Sequence, residues 1–339
     1  MKYKHIVIPR FGGPENLLLA EDELLEPRAN EVRVKVLAAG VSFADILMRE
    51  GVHPESVNHG RTPFTPGWDI VGVVDKLGDK VSTWQTGQMV AALPIVGGYA
   101  EYILLSSNEL VPVPPGLDHA EAVSLVLNYT TAYQMLHRCA HIRSGEIILI
   151  HGAAGGVGTA LLQLGKLTNL KMYGTASNRK HDIVSGLGGI PIDYKSVDLV
   201  QEIIKLTSHN GRDERGVDAV FDAIGGKSLK SSYEILRSGG RLVAYGPFSP
   251  IDIGDWLMMF TLNLVPDKRE FMLYSIQTLK RLKPDWFRED LILLLNLLKE
   301  GKIKPIVSAR MPLNKAAQAH QLLAGGSVKG KIVLICNDR

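Results

Sequence analysis

The sequence predicts an α/β protein of two domains: a β-rich domain, followed by a domain built on a doubly wound parallel sheet. Three observations support this prediction. Residues 147–150 form an unbroken apolar run, which is typical of a strand buried on both faces. From that run to Tyr245, strand-like segments alternate with helix-like segments, the order that produces parallel sheets. Before residue 125, short strand-like segments follow one another with glycines between them.

Length and composition limit the classes of protein to which this chain can belong. Its 339 residues are too many for one ordinary hydrophobic core, and we place one domain at 1–125 with 300–339 and the other at 126–299. An apolar fraction of 45% and a charged fraction of 22% are typical of globular proteins. A net charge of +3, dispersed along the chain, is too small to indicate nucleic-acid binding.

The cellular compartment is predicted from the cysteines and the N-terminus. Cys139 and Cys336 lie far apart, which argues against a disulfide framework and fits a reducing compartment. The N-terminus runs straight into strand-like sequence and lacks a signal-peptide pattern. No apolar run approaches the roughly twenty residues that a membrane span requires. We therefore expect a cytoplasmic protein without an integral membrane segment.

Short strands and a proline-rich connector make up the first domain. Residues 31–36 alternate polar and apolar side chains, the pattern of a half-buried strand. Residues 69–78, 88–93 and 97–103 are predicted to form further strands. Three prolines between residues 112 and 115 predict a stiff connector before a helical stretch that begins near His119.

The glycine-rich segment after residues 147–150 indicates nucleotide binding. It ends at Gly158, and the apolar residues that follow recur at helical spacing. A strand, a glycine turn and a helix place free N–H groups and the positive end of a helix dipole where a pyrophosphate can lie. The spacing is a variant of the dinucleotide fingerprint, because Ala153 stands where its first glycine would be. We assign cofactor binding to five residues of this turn: Ala154, Gly155, Gly156, Val157 and Gly158.

The rest of the second domain continues the alternation. Strands are predicted at 172–176, 190–193, 217–221 and 241–245, helices around 183–187 and 200–204 and at 228–236, and a turn at Gly239-Gly240. This order predicts a Rossmann-type domain. We include Ile224, beside the turn after the 217–221 strand, among its cofactor-binding residues.

The choice of cofactor depends on the residues after the predicted 172–176 strand. An NAD-binding domain usually carries an acidic residue there, which holds the ribose 2′-hydroxyl. Here the sequence has Ser177, Asn178, Arg179 and Lys180, so no acid repels a 2′-phosphate and two cations can pair with one. The alternative is that both cations are solvated residues in the first turn of a helix, although cations oppose the helix dipole there. We therefore predict NADPH rather than NADH.

The C-terminal third contains an apolar cluster and a return to the first domain. The cluster, at residues 255–265, can line a pocket, pack at a dimer interface or touch a membrane. It lacks the basic face of a membrane-surface helix, which favours a buried or interfacial role. Helices are predicted at 290–298 and 316–323, and a last strand at 332–335 should rejoin the β-rich domain.

The whole pattern resembles the medium-chain dehydrogenase/reductase superfamily over nearly the full chain. The resemblance rests on Pro66-Gly67, on Gly-Gly-Tyr-Ala-Glu-Tyr at 97–102, on the glycine turn at 153–158 and on the closing segment 330–335. It implies that the β-rich domain is a GroES-like catalytic domain.

Zinc-containing members of this superfamily carry cysteine and histidine ligands that this sequence lacks. Ser42, Trp68 and Asp69 stand at the matching places, and a hydroxyl or an indole does not replace a thiolate or an imidazole at zinc. A structural zinc lobe needs four cysteines, and the chain has two. We therefore expect no metal site and no alcohol oxidation through a zinc alkoxide.

The zinc-free branch resembles quinone oxidoreductases and alkenal reductases. Residues 127–133, 174–177 and 191–194 look most like the vesicle amine transport protein homologues. The resemblance implies that Asn128 and Thr131 lie near the nicotinamide, that Ser177, Lys180 and Tyr194 hold the adenosine phosphate, and that Tyr245 and Gly246 border the nicotinamide ribose. The sequence departs from the quinone reductase pattern at Ser42 and Leu47, where Asn and Tyr are often found, which predicts a shorter and less polar pocket wall.

Two functions are consistent with these residues. The first is an NADPH-dependent reductase of quinones or α,β-unsaturated carbonyls, acting as a homodimer through an edge strand at Phe271–Tyr274. The second is a binding or membrane-associated protein that keeps the fold but has lost useful catalysis. The intact glycine turn and the basic residues after residue 176 favour the first.

Ser42 is the candidate catalytic residue. It can donate a hydrogen bond to a developing enolate, or it can cap the helix that follows. Asp45 and His151 are predicted to be structural, Asp45 at the start of that helix and His151 as a packed or hydrogen-bonded residue after the 147–150 strand.

Overall fold

The computed structural model describes residues 1–53, 62–208, 215–246 and 268–337. Residue contacts divide the chain into two units, Met1–Thr130 with Asp285–Arg339, and Thr131–Pro284. Compared with the sequence-based division, residues 126–130 and 285–299 join the first unit. The apolar cluster at 255–265 lies outside the described residues.

The strands are numbered in chain order. They are β1 Lys2–Val7, β2 Leu18–Glu23, β3 Glu31–Val41, β4 Ile70–Leu77, β5 Met89–Ala92, β6 Tyr102–Ser106, β7 Val111–Pro112, β8 Ile147–Ile150, β9 Lys171–Thr175, β10 Ile190–Ile192, β11 Val217–Asp222, β12 Leu236–Tyr245, β13 Glu270–Tyr274, β14 Val307–Pro312 and β15 Lys331–Ile335.

The helices are numbered in the same way. They are α1 Phe43–Glu50, α2 His119–Ser124, α3 Thr130–Tyr133, α4 Gly156–Leu167, α5 His181–Gly186, α6 Leu199–Thr207, α7 Lys227–Glu234, α8 Ile276–Leu282, α9 Pro284–Lys299 and α10 Ala316–Ala324. Wider π-type turns flank α3 at Leu125–Tyr129 and Gln134–Cys139. Within the described ranges, no helix combines the length and the apolar character needed to span a bilayer.

A mostly antiparallel sheet of seven strands forms the first unit. Its order is β14-β15-β3-β4-β5-β7, and β6 also pairs with β3. Strand β15 pairs antiparallel with β3, which confirms that the last predicted strand rejoins the β-rich domain. Because side chains alternate along β3, Val32, Val34 and Val36 all face the core and are fully buried.

The second unit contains a sheet of six parallel strands in the order β10-β9-β8-β11-β12-β13. All five neighbouring pairs are parallel, which confirms the Rossmann-type prediction. Every residue of β8 and of β11 is buried, as expected for central strands covered on both faces. The sheet order reverses between β8 and β11, which is the switch point of the sheet. The carboxyl ends of these two strands therefore border the crevice where such sheets bind ligands.

Several predicted boundaries differ from those of the structure. The helix predicted at 228–236 ends at Glu234, and Leu236 already belongs to β12. Gly239 and Gly240 fall within the bounds of β12, but they lie at a bulge where its pairing with β11 passes from Leu236 to Arg241, and Gly239 adopts a φ of +70°, so the predicted turn corresponds to a local irregularity of the strand. The strand predicted at 97–103 starts only at Tyr102, because residues 97–99 turn instead against residues 65–67 through backbone hydrogen bonds.

Candidate functional site

Two positions of the glycine turn after β8 require glycine, one for its backbone conformation and one for lack of space. Gly152 makes the sharp turn with a φ of +63°, one residue before the position that the fingerprint assigned to Ala153. At Gly158, an added Cβ would lie 2.4 Å from the Gly152 carbonyl oxygen and 2.6 Å from the Ala153 Cα. The approach of α4 to the end of β8 therefore requires glycine at 158. Gly155 is less constrained, since its Cβ would meet the Gly152 oxygen at 3.3 Å.

The turn presents the start of a twelve-residue helix. Gly155 is the N-cap of α4, with no side-chain cap, and its carbonyl accepts from Thr159 N at 2.9 Å. The N–H groups of Gly156, Val157 and Gly158 open the helix and therefore have no acceptor within it. These donors and the helix dipole suit a pyrophosphate, as the sequence predicts for this turn.

Four predicted contacts for an adenosine phosphate lie after two neighbouring strands. Ser177, Arg179 and Lys180 follow β9, the latter two in a short 3₁₀ turn at Asn178–Lys180. Tyr194 follows β10 and is 52% exposed. Because β9 and β10 are parallel neighbours, the structure brings all four to one edge of the sheet.

On the other side of the switch point, Ile224 follows β11, and Tyr245 ends β12 with Gly246 after it. Ile224 is 59% exposed, whereas Tyr245 is buried. Gly246 has a φ of +92°, a conformation that favours glycine. These three predicted cofactor-binding residues therefore lie at the same edge of the sheet as the glycine turn.

Three further predicted site residues belong to other elements. Thr131 is buried in α3, and Asn128 is buried in the preceding π-type turn, three residues earlier. Asn128 and Ser42 belong to the first unit.

Ser42 caps α1 in the first unit. Its Oγ accepts from Asp45 N at 3.3 Å, and its own O–H donates to Asp45 Oδ2 at 2.6 Å. Asp45 Oδ2 also accepts from Ser42 N at 2.9 Å, which completes a capping box. This geometry realises the helix-cap alternative, and it directs the only hydroxyl proton of Ser42 towards Asp45. The Ser-x-x-Asp spacing before an apolar segment was the sequence signal for this box.

The residues at the former zinc positions do not fit a zinc ion. Asp69 Oδ2 is already paired with the buried Lys331 ammonium, at 2.6 Å. Trp68 is 4% exposed, and its indole Nε1, a donor rather than a ligand atom, has no hydrogen-bond partner among the described residues. The Ser42 hydroxyl is hydrogen-bonded to Asp45. These three positions therefore offer neither a thiolate nor an imidazole to a zinc ion.

Two buried polar clusters were not predicted as groups, because each joins residues distant in sequence. In the first unit, Tyr99 Oη lies 3.2 Å from His320 Nε2, and the pKa of His320 is lowered to about 3 by burial and by Arg49. In the second unit, His151 and Asp222 meet through Ser232. The structure thus confirms His151 as a hydrogen-bonded buried residue.

The Asp45→Asn variant should gain stability relative to the parent protein as pH rises from about 5 to about 8. Burial, together with the neighbouring Asp69, raises the pKa of Asp45 from 3.8 to about 7. A carboxyl with a raised folded-state pKa contributes most below its unfolded pKa, and this contribution is lost as pH rises through about 7. Urea unfolding at both pH values measures the difference. Asp118→Asn is the control: its pKa is lowered, so its difference from the parent should stay constant over this range, and a constant difference for Asp45→Asn as well would contradict the prediction.

Two family models match the chain. Residues 28–115 match the alcohol dehydrogenase GroES-like domain, and residues 189–334 match the zinc-binding dehydrogenase model. The first match falls in the seven-stranded unit, which confirms the GroES-like prediction.

Full-length relatives agree with these matches. The chain is 32% identical to the quinone oxidoreductase of Mus musculus over 96% of this chain and 95% of that protein. It is 30% identical to the synaptic vesicle membrane protein VAT-1 homolog of Danio rerio, over 98% of this chain and 70% of that protein. The solved structure of Escherichia coli quinone oxidoreductase complexed with NADPH superposes with a TM-score of 0.87 at 25% identity, covering 98% of this chain and 99% of that one.

Both parts of the resemblance, to the superfamily and to its quinone oxidoreductase and vesicle-protein relatives, are confirmed by these matches. The sheet order, the glycine turn and the GroES-like unit all agree with them. The chain therefore belongs to the medium-chain dehydrogenase/reductase superfamily, quinone oxidoreductase type, and is an oxidoreductase with an NAD(P)-binding fold.

Proposed function

We propose that this protein is a zinc-independent, NADPH-dependent reductase that transfers hydride to a quinone or to an α,β-unsaturated carbonyl. The observation that carries the proposal is the set of residues at the carboxyl ends of the strands in the six-stranded sheet. There, the donors that open α4 lie after β8, while Arg179 and Lys180 lie after the adjacent β9, with no acidic residue between β9 and Lys180. The residues present therefore suit a dinucleotide with an additional phosphate on its adenosine ribose.

The contribution of this chain is to bind, orient and exclude water. Reduced nicotinamide supplies the hydride when bound. The helix start and the basic pair fix the two phosphate-bearing parts of the cofactor, Tyr245 and Gly246 border its nicotinamide ribose, and Ile224 is a further contact. The acceptor gains the hydride and one proton from solvent, so no buried acid of the protein is required. The Ser42 hydroxyl already donates its proton to Asp45, which is consistent with a reaction that takes its proton from solvent.

A screen of NADPH oxidation against quinones and enals tests the proposal, with a chelator present in parallel reactions. We expect turnover with at least one acceptor class, NADPH to act better than NADH, and the chelator to have no effect. The competing function, a binding or membrane-associated protein without useful catalysis, is favoured by the departures at Ser42 and Leu47. It would be supported by tight NADPH binding without oxidation of NADPH by any acceptor.

We also propose a homodimer formed through β13. This strand is the last of the six-stranded sheet among the described residues, and Leu273 on it is 49% exposed. Pairing of two such edges would hide unpaired backbone groups. Light scattering at micromolar concentration should give twice the mass of one chain, and a monomer would contradict this.

The double variant Ser42→Asn, Leu47→Tyr should raise activity on small quinones more than on bulky acceptors. Asn is an N-cap as good as Ser, so α1 should stay intact. The restored polar groups can orient a small acceptor, an effect worth a few kcal/mol by analogy with an oxyanion-hole donor, whereas bulky acceptors already gain from burial. The kcat/KM ratio between a small and a bulky quinone measures this. An unchanged ratio, or a parent protein that already prefers the smallest quinones, would contradict the pocket-wall argument.

A further inference from the structure

A chain of hydrogen bonds crosses the switch point of the six-stranded sheet beneath the glycine turn. It begins at Gly152 N, which donates to Thr175 Oγ1 at 3.2 Å. Thr175 Oγ1 lies 3.4 Å from His151 Nδ1, and His151 Nε2 lies 2.9 Å from Ser232 Oγ. Ser232 Oγ then donates to Asp222 Oδ2 at 2.7 Å. The four side chains are all buried, and they come from the ends of β8, β9 and β11 and from α7.

The chain continues into the loop after β11. Asp222 Oδ1 accepts from Ile224 N at 2.7 Å and from Gly225 N at 3.1 Å. Its other oxygen accepts a second hydroxyl proton, from Ser228 at 2.7 Å. Burial opposes the ionisation of Asp222, but the carboxyl accepts hydrogen bonds from the two hydroxyls and the Ile224 N–H, and its pKa lies below its usual range.

The direction of every bond is set by the ionised carboxylate, which can only accept. Ser232 gives its single hydroxyl proton to Asp222, so its oxygen must accept from His151 Nε2–H. Burial lowers the pKa of His151, so the ring is neutral at neutral pH and its Nδ1 is an acceptor. Thr175 therefore donates to Nδ1 while accepting from Gly152 N–H. Only the Nε2–H tautomer of neutral His151 satisfies this sequence of donors and acceptors.

The series of hydrogen bonds ends on both sides at backbone groups, which belong to the two segments assigned to the cofactor. Gly152 makes the positive-φ turn that aims α4, and Ile224 with Gly225 forms the loop on the opposite side of the switch point. We propose that His151 is a positioning residue of the cofactor site, which in its Nε2–H tautomer links the glycine turn to the 224–225 loop so that both hold the dinucleotide together. This role rests on the proposed function, because it presupposes that NADPH binds at this edge.

A purely structural role would also require these polar groups to be satisfied, so loss of stability alone does not test the proposal. The distinguishing property is coupling. If one continuous chain holds both segments, breaking it near either end removes the same contribution to binding. If the bonds act locally, the effects of separate breaks add.

The test is a double-mutant cycle on the dissociation constant for NADPH, followed by fluorescence. Thr175→Val interrupts the series of hydrogen bonds near the glycine turn, and Ser232→Ala interrupts it near the 224–225 loop. Each should weaken NADPH binding roughly tenfold, and the double variant should also weaken it roughly tenfold. Ser228→Ala is the matched control, because it removes a hydroxyl from the same Asp222 oxygen outside the chain, and it should bind within about twofold of the parent protein.

Rescue at His151 and a spectroscopic readout complete the test. His151→Gln keeps an N–H that can reach Ser232 and should retain more binding than His151→Leu. Nitrogen NMR of the unmodified protein should show the neutral Nε2–H tautomer at pH 7, a measurement that does not depend on any variant folding.

An additive double variant, with binding weakened roughly a hundredfold, would overturn the proposal, and so would single variants with parental affinity or an Nδ1–H or charged His151. A parent protein that fails to bind NADPH would overturn the proposed function itself. Coupled losses, rescue by Gln and the Nε2–H tautomer together would support the positioning role of His151.

Discussion

Replacing Arg179 and Lys180 together by Ala is expected to weaken NADPH binding about a hundredfold and to leave NADH binding nearly unchanged. A hydrogen bond to a charged group contributes about 1.5–3 kcal/mol, so two such contacts to a 2′-phosphate account for about 3 kcal/mol or more. The residues follow β9, at the same edge as the glycine turn. NADH has no phosphate there and loses nothing.

Fluorescence titration of both cofactors measures this preference. Lys195→Ala is the matched control, since Lys195 lies beside Tyr194 but is not assigned to the phosphate, and its loss should change the NADPH affinity little. The effect of the double variant should shrink as salt is added, because salt screens exposed charges. An unchanged ratio of NADPH to NADH affinity would show that Arg179 and Lys180 are solvated residues only.

The Gly158→Ala variant is expected to lose about 1–3 kcal/mol of stability and most of its cofactor affinity. In an unconstrained helix, Gly→Ala usually stabilises by about 0.5–1 kcal/mol. Here the new methyl would lie 2.4 Å from the Gly152 oxygen, a backbone atom that cannot move without opening the turn. The cost is that of an overpacked site. The same displacement moves the donors at the start of α4.

Gly186→Ala provides the matched control for this prediction. Gly186 is also helical and in the same unit, but a Cβ there would meet nothing within 4 Å. Thermal unfolding and NADPH titration of both variants separate the steric effect from a general effect of the substitution. Parental stability and affinity in Gly158→Ala would refute the account of the glycine turn.

The fold could be predicted because burial leaves a local pattern. The central strands read as apolar runs such as residues 147–150, and the helices between them show one apolar face, so their order predicted the parallel sheet. What failed was local geometry that tertiary contacts decide. Gly239-Gly240 looks like a turn in sequence, whereas in the structure it lies at a bulge inside β12, which pairs with β11 at Leu236 and resumes pairing, with both β11 and β13, at Arg241.

The cofactor edge was predictable for a similar reason, because its residues follow directly after strands. The buried polar groups were not. Asp69 gives no sequence signal for its ion pair with Lys331, which stands near the other end of the chain. His151, Thr175, Ser232 and Asp222 are brought together only by the parallel sheet and α7. Ser42 had two readings in sequence, and the neighbouring Asp45 decides between them in the folded chain.

The central claim is that this protein reduces an organic acceptor with NADPH and without a metal. The most direct measurement is the stoichiometry of the reaction in the presence of a chelator, with the reduced acceptor quantified by mass spectrometry against the NADPH consumed. The account predicts one molecule of quinol or saturated carbonyl product for each NADPH oxidised, with NADH a poor substitute. If NADPH binds but no quinone or enal is reduced, or if the reaction stops when zinc is removed, the claim is contradicted.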